Sequence, residues 1–256
     1  MTGLGGRVAL VTGCGSDGGI GFAIAKGLVA AGARVAITAT TARVHDRRAE
    51  LGAAFAGIAD LTDAAQVTRL FAEIRAALGP VEVLVNNAGM VQTGQSLRRS
   101  GVEGLTDVTF AAHLAINVTT TFHCIREALP DMQAAGWGRI VNIASITGPI
   151  TAISGSSGYA TAKAAVTGLT RATALENARH GITCNAVLPG WITTASSSRK
   201  EIRAGKASPT RRSGTPDEVA ACALFLASAG ASYVNGAMLV VDGANSLIEI
   251  KGAGAF

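Results

Sequence analysis

Only 4% of the 256 residues are aromatic and 15% are charged; there are six prolines, four cysteines and two tyrosines. Each scarcity excludes something. So few aromatics argue against a base-stacking or sugar-stacking surface. Low charge beside 48% hydrophobic residues excludes a disordered chain and implies extensive burial. Cys14, Cys124, Cys184 and Cys222 lie far apart with no C-x-x-C pair, so buried free thiols are expected rather than a disulfide framework. The net charge of +5 and pI near 9.3 come from scattered basic residues without a dense stripe, and no nucleic-acid partner is expected. No apolar run reads as bilayer-spanning, and the start MTGLGGRVALVTG carries no signal core. The expectation is a cytoplasmic protein without a membrane partner. His113 and His123 have no companions at metal-ligand spacing, so both read as satisfied helix residues and no metal is expected.

What is present is glycine, 32 residues of it, and a regular alternation of short apolar runs with helical stretches. Strands are expected at Val8–Val11, Val35–Thr38, Val83–Val85, Ile140–Ile143, Thr183–Val187 and Met238–Val241, with a weaker one at Phe55–Ile58. Helices are expected at Ile20–Ala31, Ala64–Leu78, Val108–Leu129, Tyr159–Arg179 and Pro216–Ser228. Apolar strands alternating with helices imply an α/β fold, a doubly wound parallel sheet of about seven strands with helices on both faces. No linker divides residues 1–256, which read as a single Rossmann-type domain. The polar stretch Thr193–Gly214 reads as part of a lid over about 190–214, with a solvated loop as the alternative. A tail over about 244–256 follows the last strand, and its Leu247, Ile248, Ile250 and Phe256 are expected to dock on another subunit.

The segment TGCGSDGGIGFAIA (Thr12–Ala25) admits two registers of a phosphate-cradling turn. Gly13, Gly15 and Gly18 spell G-x-G-x-x-G; Gly13, Gly19 and Gly21 spell a looser pattern. The apolar stripe Ile20, Ile24, Leu28 starts the helix near Gly19, which favours the second. Gly13 would then make the turn, and the first amides of the helix, around Ile20, would meet a pyrophosphate.

Tyr159 and Lys163 stand four apart on an expected helix and so share a face. A nearby ammonium should lower the phenol from its usual value near ~10, suiting it to general acid–base work. Ser145 lies just past a strand's carboxyl end, where active groups gather in such sheets. Asn117, inside an apolar helix, needs a polar reason; a structural kink competes with a catalytic role. The second strand ends in Thr38, Ala39, Thr40 and Thr41 with no carboxylate before Asp46, while Arg43, Arg47 and Arg48 follow. That favours a 2′-phosphate, hence NADP(H) over NAD(H).

Together TGCGSDGGIG, NNAG (Asn86–Gly89), GRIVNIAS ending at Ser145, YATAK, LPGWITT and RRSGTPDEVA resemble the short-chain dehydrogenase/reductase family over almost the whole chain. The glycine loop departs from the family's T-G-x-x-x-G-x-G by two extra residues, around Ser16 and Asp17. The resemblance implies Ser145, Tyr159, Lys163 and Asn117 as catalytic residues, with Ser145 holding the substrate oxygen and Asn117 organising a proton relay to Lys163. It also implies cofactor contacts from Ser16, Asn87, Ala88, Gly89, Asp60, Leu61, Pro189, Gly190, Ile192 and Thr194, besides the glycine turn and the end of the second strand. A homotetramer is implied as well. The activity implied is NADP(H)-linked interconversion of a ketone and a secondary alcohol. A 3-oxoacyl-carrier or 3-oxoacyl-CoA thioester is the alternative substrate, and a non-catalytic NADP-binding regulator the alternative class. MQAAGWGRI lacks the basic run that such carrier reductases place before GRI. Enoyl reductases of the family separate Tyr and Lys by six residues rather than three.

Overall fold

A computed structural model describes residues 3–89 and 100–249. Seven parallel strands form one sheet in the order β3-β2-β1-β4-β5-β6-β7. They are β1 (Val8–Thr12), β2 (Arg34–Ala39), β3 (Phe55–Ile58), β4 (Val83–Asn86), β5 (Gly138–Ile143), β6 (Ile182–Pro189) and β7 (Met238–Val241). Every strand read from the sequence is present, most extended by a residue or two. The fold is a single Rossmann-type α/β domain.

Strand residues alternate between two cores, as a period of two requires. Ala9, Val11, Val35, Ile37, Val85 and Val141 face α1 (Ile20–Ala30), α2 (Arg43–Leu51) and α8 (Pro216–Ala227). Val8, Leu10, Ala36, Leu84 and Ile140 face α3 (Ala64–Leu78) and α5 (Thr120–Ala135), with α6 (Ser157–Asn177) adding Ala174. With both faces covered, the central strands carry no exposed residue. Connections wind to opposite sides from β1 and β4, so a cleft opens at their carboxyl ends.

Two helices differ from expectation. The helix expected over Val108–Leu129 is instead α4 (Asp107–Leu114), a π turn over Ala115–Thr119, and then α5. Polar side chains bonding back to the backbone accompany the break. Asn117 Nδ2 donates to His113 O at 3.0 Å, Thr120 Oγ1 to Ile116 O at 2.8 Å and Thr121 Oγ1 to Asn117 O at 3.1 Å. Contrary to the sequence expectation, Asp107–Ala135 is long and apolar enough by composition to cross a membrane. Here Cys124, Ile125, Ala128 and Met132 bury one side of it against the sheet.

The second difference is α7 (Arg199–Lys206), inside the stretch read only as lid or loop. Its signal was present in the sequence: Ser198 and Glu201 form a capping box, with Glu201 Oε2 accepting from Ser198 N at 2.8 Å and Ser198 Oγ at 2.7 Å.

Candidate active site

The glycine turn follows the second register. Gly19 is the N-cap of α1, and no side chain caps that helix end, so its first amides remain open to an anion. Gly13 has φ +74°, and a Cβ there would stand 2.8 Å from Asn87 Nδ2 and 2.9 Å from Ala88 Cα. One node fixes this approach. Thr12 Oγ1 accepts from Asn87 N at 3.0 Å and Ala88 N at 2.9 Å, while Asn87 Nδ2 donates to Thr12 O at 2.9 Å and Gly13 O at 3.2 Å. Sequence reasoning missed Thr12, and the Asn87 amide holds the turn itself.

At the ends of β5 and α6 the expected catalytic residues converge. Lys163, 4% exposed, donates from Nζ to Ile143 O at 2.9 Å, and that nitrogen lies 5.8 Å from the Tyr159 ring centroid. Burial lowers its pKa to about 8. Ser145 is nearly buried, and its hydroxyl accepts from Thr147 N at 3.0 Å. The Tyr159 phenol is held above its ordinary value by burial; a hydrogen bond with Ser145 works against the rise and the charge of Glu201 adds to it. The lowering expected from the lysine is therefore not found: the effect that lowers this phenol is the Ser145 hydrogen bond, and desolvation outweighs it. Gly89 closes the back of the site, where a Cβ would stand 2.9 Å from Asn117 Oδ1 and 3.2 Å from Lys163 Nζ. Asn117, buried on the π turn, thus reaches the same point as the lysine, and its kink and its position at the site coexist.

His123 Nδ1 lies 3.1 Å from Leu61 O, as a satisfied helix residue should. His113 differs: its ring packs against Gly158, and its buried Nδ1 has no hydrogen-bond partner among the described residues.

Two of the expected cofactor contacts have buried side chains. Thr38 is fully buried and donates its hydroxyl to Gly57 O at 2.8 Å, so its side chain is spent inside the sheet. Leu61 is 4% exposed and packs in the core with Val67, Leu70 and Phe71 of α3. Asp60 Oδ1 accepts from Thr62 N at 2.9 Å and Thr62 Oγ1 at 2.8 Å, at the turn into α3. At the end of β2, Thr40 and Arg43 are exposed, with Arg43 Nε 3.4 Å from Thr41 Oγ1. The other two arginines are engaged elsewhere. Arg48 bonds Ala53 O at 3.3 Å, and Arg47 pairs with Glu50 and, at 3.6 Å, with Asp17 of the extended glycine loop. Ser16 lies in the same extension, its carbonyl accepting from Gly19 N at 3.3 Å.

The segment after β6 stays close to the cleft. Gly190 N bonds Val241 O at 2.9 Å, and Ile192 and Gly214 form a parallel bridge that ties the lid at both ends. Thr194 N bonds Ser197 Oγ at 2.9 Å, and the next residue, Ala195, meets the glycine loop: a Cβ on Gly18 would stand 3.3 Å from Ala195 Cβ.

With this geometry in place, comparison with known proteins is informative. Residues 13–244 match a family model described as Enoyl-(Acyl carrier protein) reductase. The chain is 36% identical to D-beta-hydroxybutyrate dehydrogenase of Cupriavidus necator, over 94% of this chain and 98% of that one. It is 41% identical to galactitol 2-dehydrogenase (L-tagatose-forming) of Cereibacter sphaeroides, over 94% and 95%. Among solved structures, levodione reductase superposes with a TM-score of 0.87 at 33% identity, over 95% and 99%. The chain belongs to the short-chain dehydrogenase/reductase family and is an oxidoreductase of CH–OH and C=O groups.

Proposed function

We propose that this enzyme reduces a small ketone to a secondary alcohol with NADPH, and catalyses the reverse with NADP. The carrying observation is the convergence of Ser145, Tyr159 and Lys163 at the carboxyl end of β5. A nicotinamide dinucleotide fits the cleft, because α1 offers an uncapped N-terminus behind a turn that only glycine fills. When bound, it supplies or accepts the hydride.

The protein's own residues manage the oxygen. Ser145 donates a hydrogen bond to the substrate carbonyl and orients it. Tyr159, kept as a phenol at neutral pH by its buried setting, gives that oxygen a proton as negative charge develops there. Lys163 stabilises the phenolate left behind and is itself steadied by Ile143 O.

NADPH is supported by the β2 end, where Thr40 and Arg43 stand exposed and no carboxylate precedes Asp46. The three-residue gap between Tyr159 and Lys163 supports carbonyl over enoyl reduction, and the missing basic run before Gly138 supports a small ketone over a carrier-borne thioester. Purified protein should oxidise NADPH in the presence of some member of a ketone panel. Failure with every ketone and both nucleotides, beside turnover of an enoyl thioester, would defeat the reading.

The same reading includes a homotetramer. Its support is the apolar surface left on two sides, Val108, Phe122 and Leu175 on α4 to α6, and Phe225, Tyr233 and Leu247 around α8 and β7. In the tail, Leu247 is exposed and Ile248 half-buried, while Ile250 and Phe256 lie outside the described residues. Light scattering should give four chains per particle; a stable monomer would overturn the assembly.

A further inference from the structure

A chain of buried polar groups crosses the α5–α6 side of the sheet. Ile140 of β5 faces that side and, by the strand's period of two, so does Asn142. Asn86 Nδ2 of β4 donates to Asn142 Oδ1 at 2.9 Å. Asn142 Nδ2 donates to Thr170 Oγ1 of α6 at 2.9 Å and reaches Cys184 Sγ at 3.6 Å. Thr170 Oγ1 in turn donates to Val166 O at 2.8 Å. All three side chains are buried, and Asn86 Oδ1 lacks a partner among the described residues. Desolvating these amides costs free energy that apolar residues of like size would avoid. What the chain supplies is placement, because it joins the three elements that carry the site. Strand β4 leads into Asn87 and Gly89, β5 presents Ile143 O and leads into Ser145, and α6 bears Tyr159 and Lys163. Among the strands, α6 packs mainly on β6. Two side-chain bonds tie it to β5 among the described residues, Lys163 to Ile143 O and Asn142 to Thr170. Lys163 and Thr170 stand seven apart, about two turns, and so share a face. The lysine link ends a flexible four-carbon stem, whereas the Thr170 link is short and holds the helix itself.

We propose that Asn142 and Thr170 are positioning residues: their bond fixes α6 along β5 and so places the Tyr159 hydroxyl and the Lys163 ammonium against the oxygen that Ser145 holds. Neither residue meets substrate or nucleotide; both act through the helix. A displacement of about an ångström at the reacting groups is enough to slow the chemistry strongly. The nucleotide's anchor at Gly13 and the start of α1 lies outside this link. The signature is therefore a fall in kcat with nucleotide affinity kept. The proposal rests on the ketone-reductase reading above and names what aligns its proton donor.

The test combines steady-state kinetics on the best ketone of the panel with fluorescence titration of NADPH. Thr170→Val removes the hydroxyl at nearly constant shape; kcat should fall at least about tenfold while the NADPH Kd stays within about twofold. Thr170→Ser returns the hydroxyl and should restore kcat to within about threefold of wild type. Thr167→Val is the control: that buried hydroxyl bonds Ala164 O of its own helix at 2.7 Å, and its loss should leave kcat within about twofold. Should Thr170→Val destabilise the protein, Asn86→Leu/Asn142→Leu/Thr170→Val makes the whole chain apolar and leaves none of its amides unpaired. This triple variant should fold and bind NADPH yet keep the low kcat; a merely structural role would return kcat together with stability. An unchanged kcat in Thr170→Val, an equal fall in Thr167→Val, or no rescue by serine overturns the proposal alone. So does a loss of NADPH affinity that parallels the fall in kcat. A wild-type enzyme that turns over no ketone with either nucleotide defeats the reductase reading and this proposal with it.

Discussion

The two ends of the cleft are built on different physics. At the β5–α6 end, Ser145, Lys163 and Asn117 are nearly inaccessible, and the lysine and asparagine bond to backbone carbonyls, Ile143 O and His113 O. At the β2 end, Thr40, Arg43 and Asp17 are exposed, and the arginines bond mainly to other side chains. Backbone partners cannot swing away, and low dielectric amplifies each charge. Exposed side-chain pairs are screened and pay entropy to hold one geometry. The first arrangement suits a proton transfer that needs sub-ångström placement; the second suits discrimination between ligands that differ by one phosphate. Substitutions at the two ends should therefore differ in effect by orders of magnitude.

The largest effect is expected at Tyr159. Tyr159→Phe removes the proton donor and keeps the ring, so turnover should fall by about 10²–10⁴ while cofactor binding survives. Single-turnover kinetics with the best substrate would check it; near-wild-type rates would remove Tyr159 from the mechanism.

Next comes a stability effect of opposite sign. Burial holds Lys163 at a folded-state pKa of about 8, against 10.5 for an ordinary lysine. The folded protein therefore disfavours the charged form, and the penalty is full below about pH 8 and fades as pH rises through the unfolded value. Lys163→Met should abolish turnover yet stabilise the fold by up to about 3 kcal/mol at pH 7, with the gain largely gone near pH ~10.5. Urea denaturation at the two pH values would show whether this end of the cleft holds its charge at a cost.

How much of this was legible in the sequence follows the same division. The strands were readable because buried parallel strands are continuous apolar runs, and Tyr159, Lys163 and Ser145 because their spacing is local to one helix and one strand end. Thr12 was not, since its role exists only where β1 and β4 lie side by side, 73 residues apart in sequence. The inward turn of the Thr38 hydroxyl was not readable either, because its partner, Gly57 O, lies on the neighbouring strand. The net direction of the Tyr159 shift depends on desolvation by the whole pocket, and no motif records that. Helix α7 carried a local signal, the cap of Ser198 with Glu201, that the reading of this stretch as lid or loop passed over.

The pH profile should sharpen the catalytic end further. Because the Lys163 ammonium is held at a pKa of about 8, reduction should be nearly flat at neutral pH and below and decline as pH rises through about 8. Alcohol oxidation, which needs the phenolate, should rise toward the phenol range by up to about tenfold per pH unit. Reduction that falls already below pH ~7 would place another group in control. At the opposite end, Arg43→Ala should weaken NADPH about tenfold and leave NADH nearly unchanged, the value of one charge-assisted bond to phosphate. Fluorescence titration with each nucleotide measures it; equal losses would mean that Arg43 only shapes the start of α2.

The smallest effect is expected at Asp17, the residue that the longer glycine loop adds. Its carboxylate lies 3.6 Å from Arg47, with side-chain exposures of 68% and 16%. An ion pair this open is worth at most about 1 kcal/mol. Arg47 also keeps Glu50 as a partner, so losing Asp17 does not strand its charge. Asp17→Asn should therefore change either nucleotide's affinity by less than about fivefold, and less still at high salt. The same carboxylate accepts Gly18 N at 2.8 Å, a bond that asparagine's side-chain oxygen can replace, so the turn should survive the substitution. Gly18 in turn meets Ala195 of the lid, which makes the loop a physical bridge between the two ends. If Asp17→Asn cost more than tenfold for both nucleotides alike and independently of salt, the pair would be holding that bridge in place. The adenosine end would then be as geometrically committed as the catalytic end, and the division between them would fail.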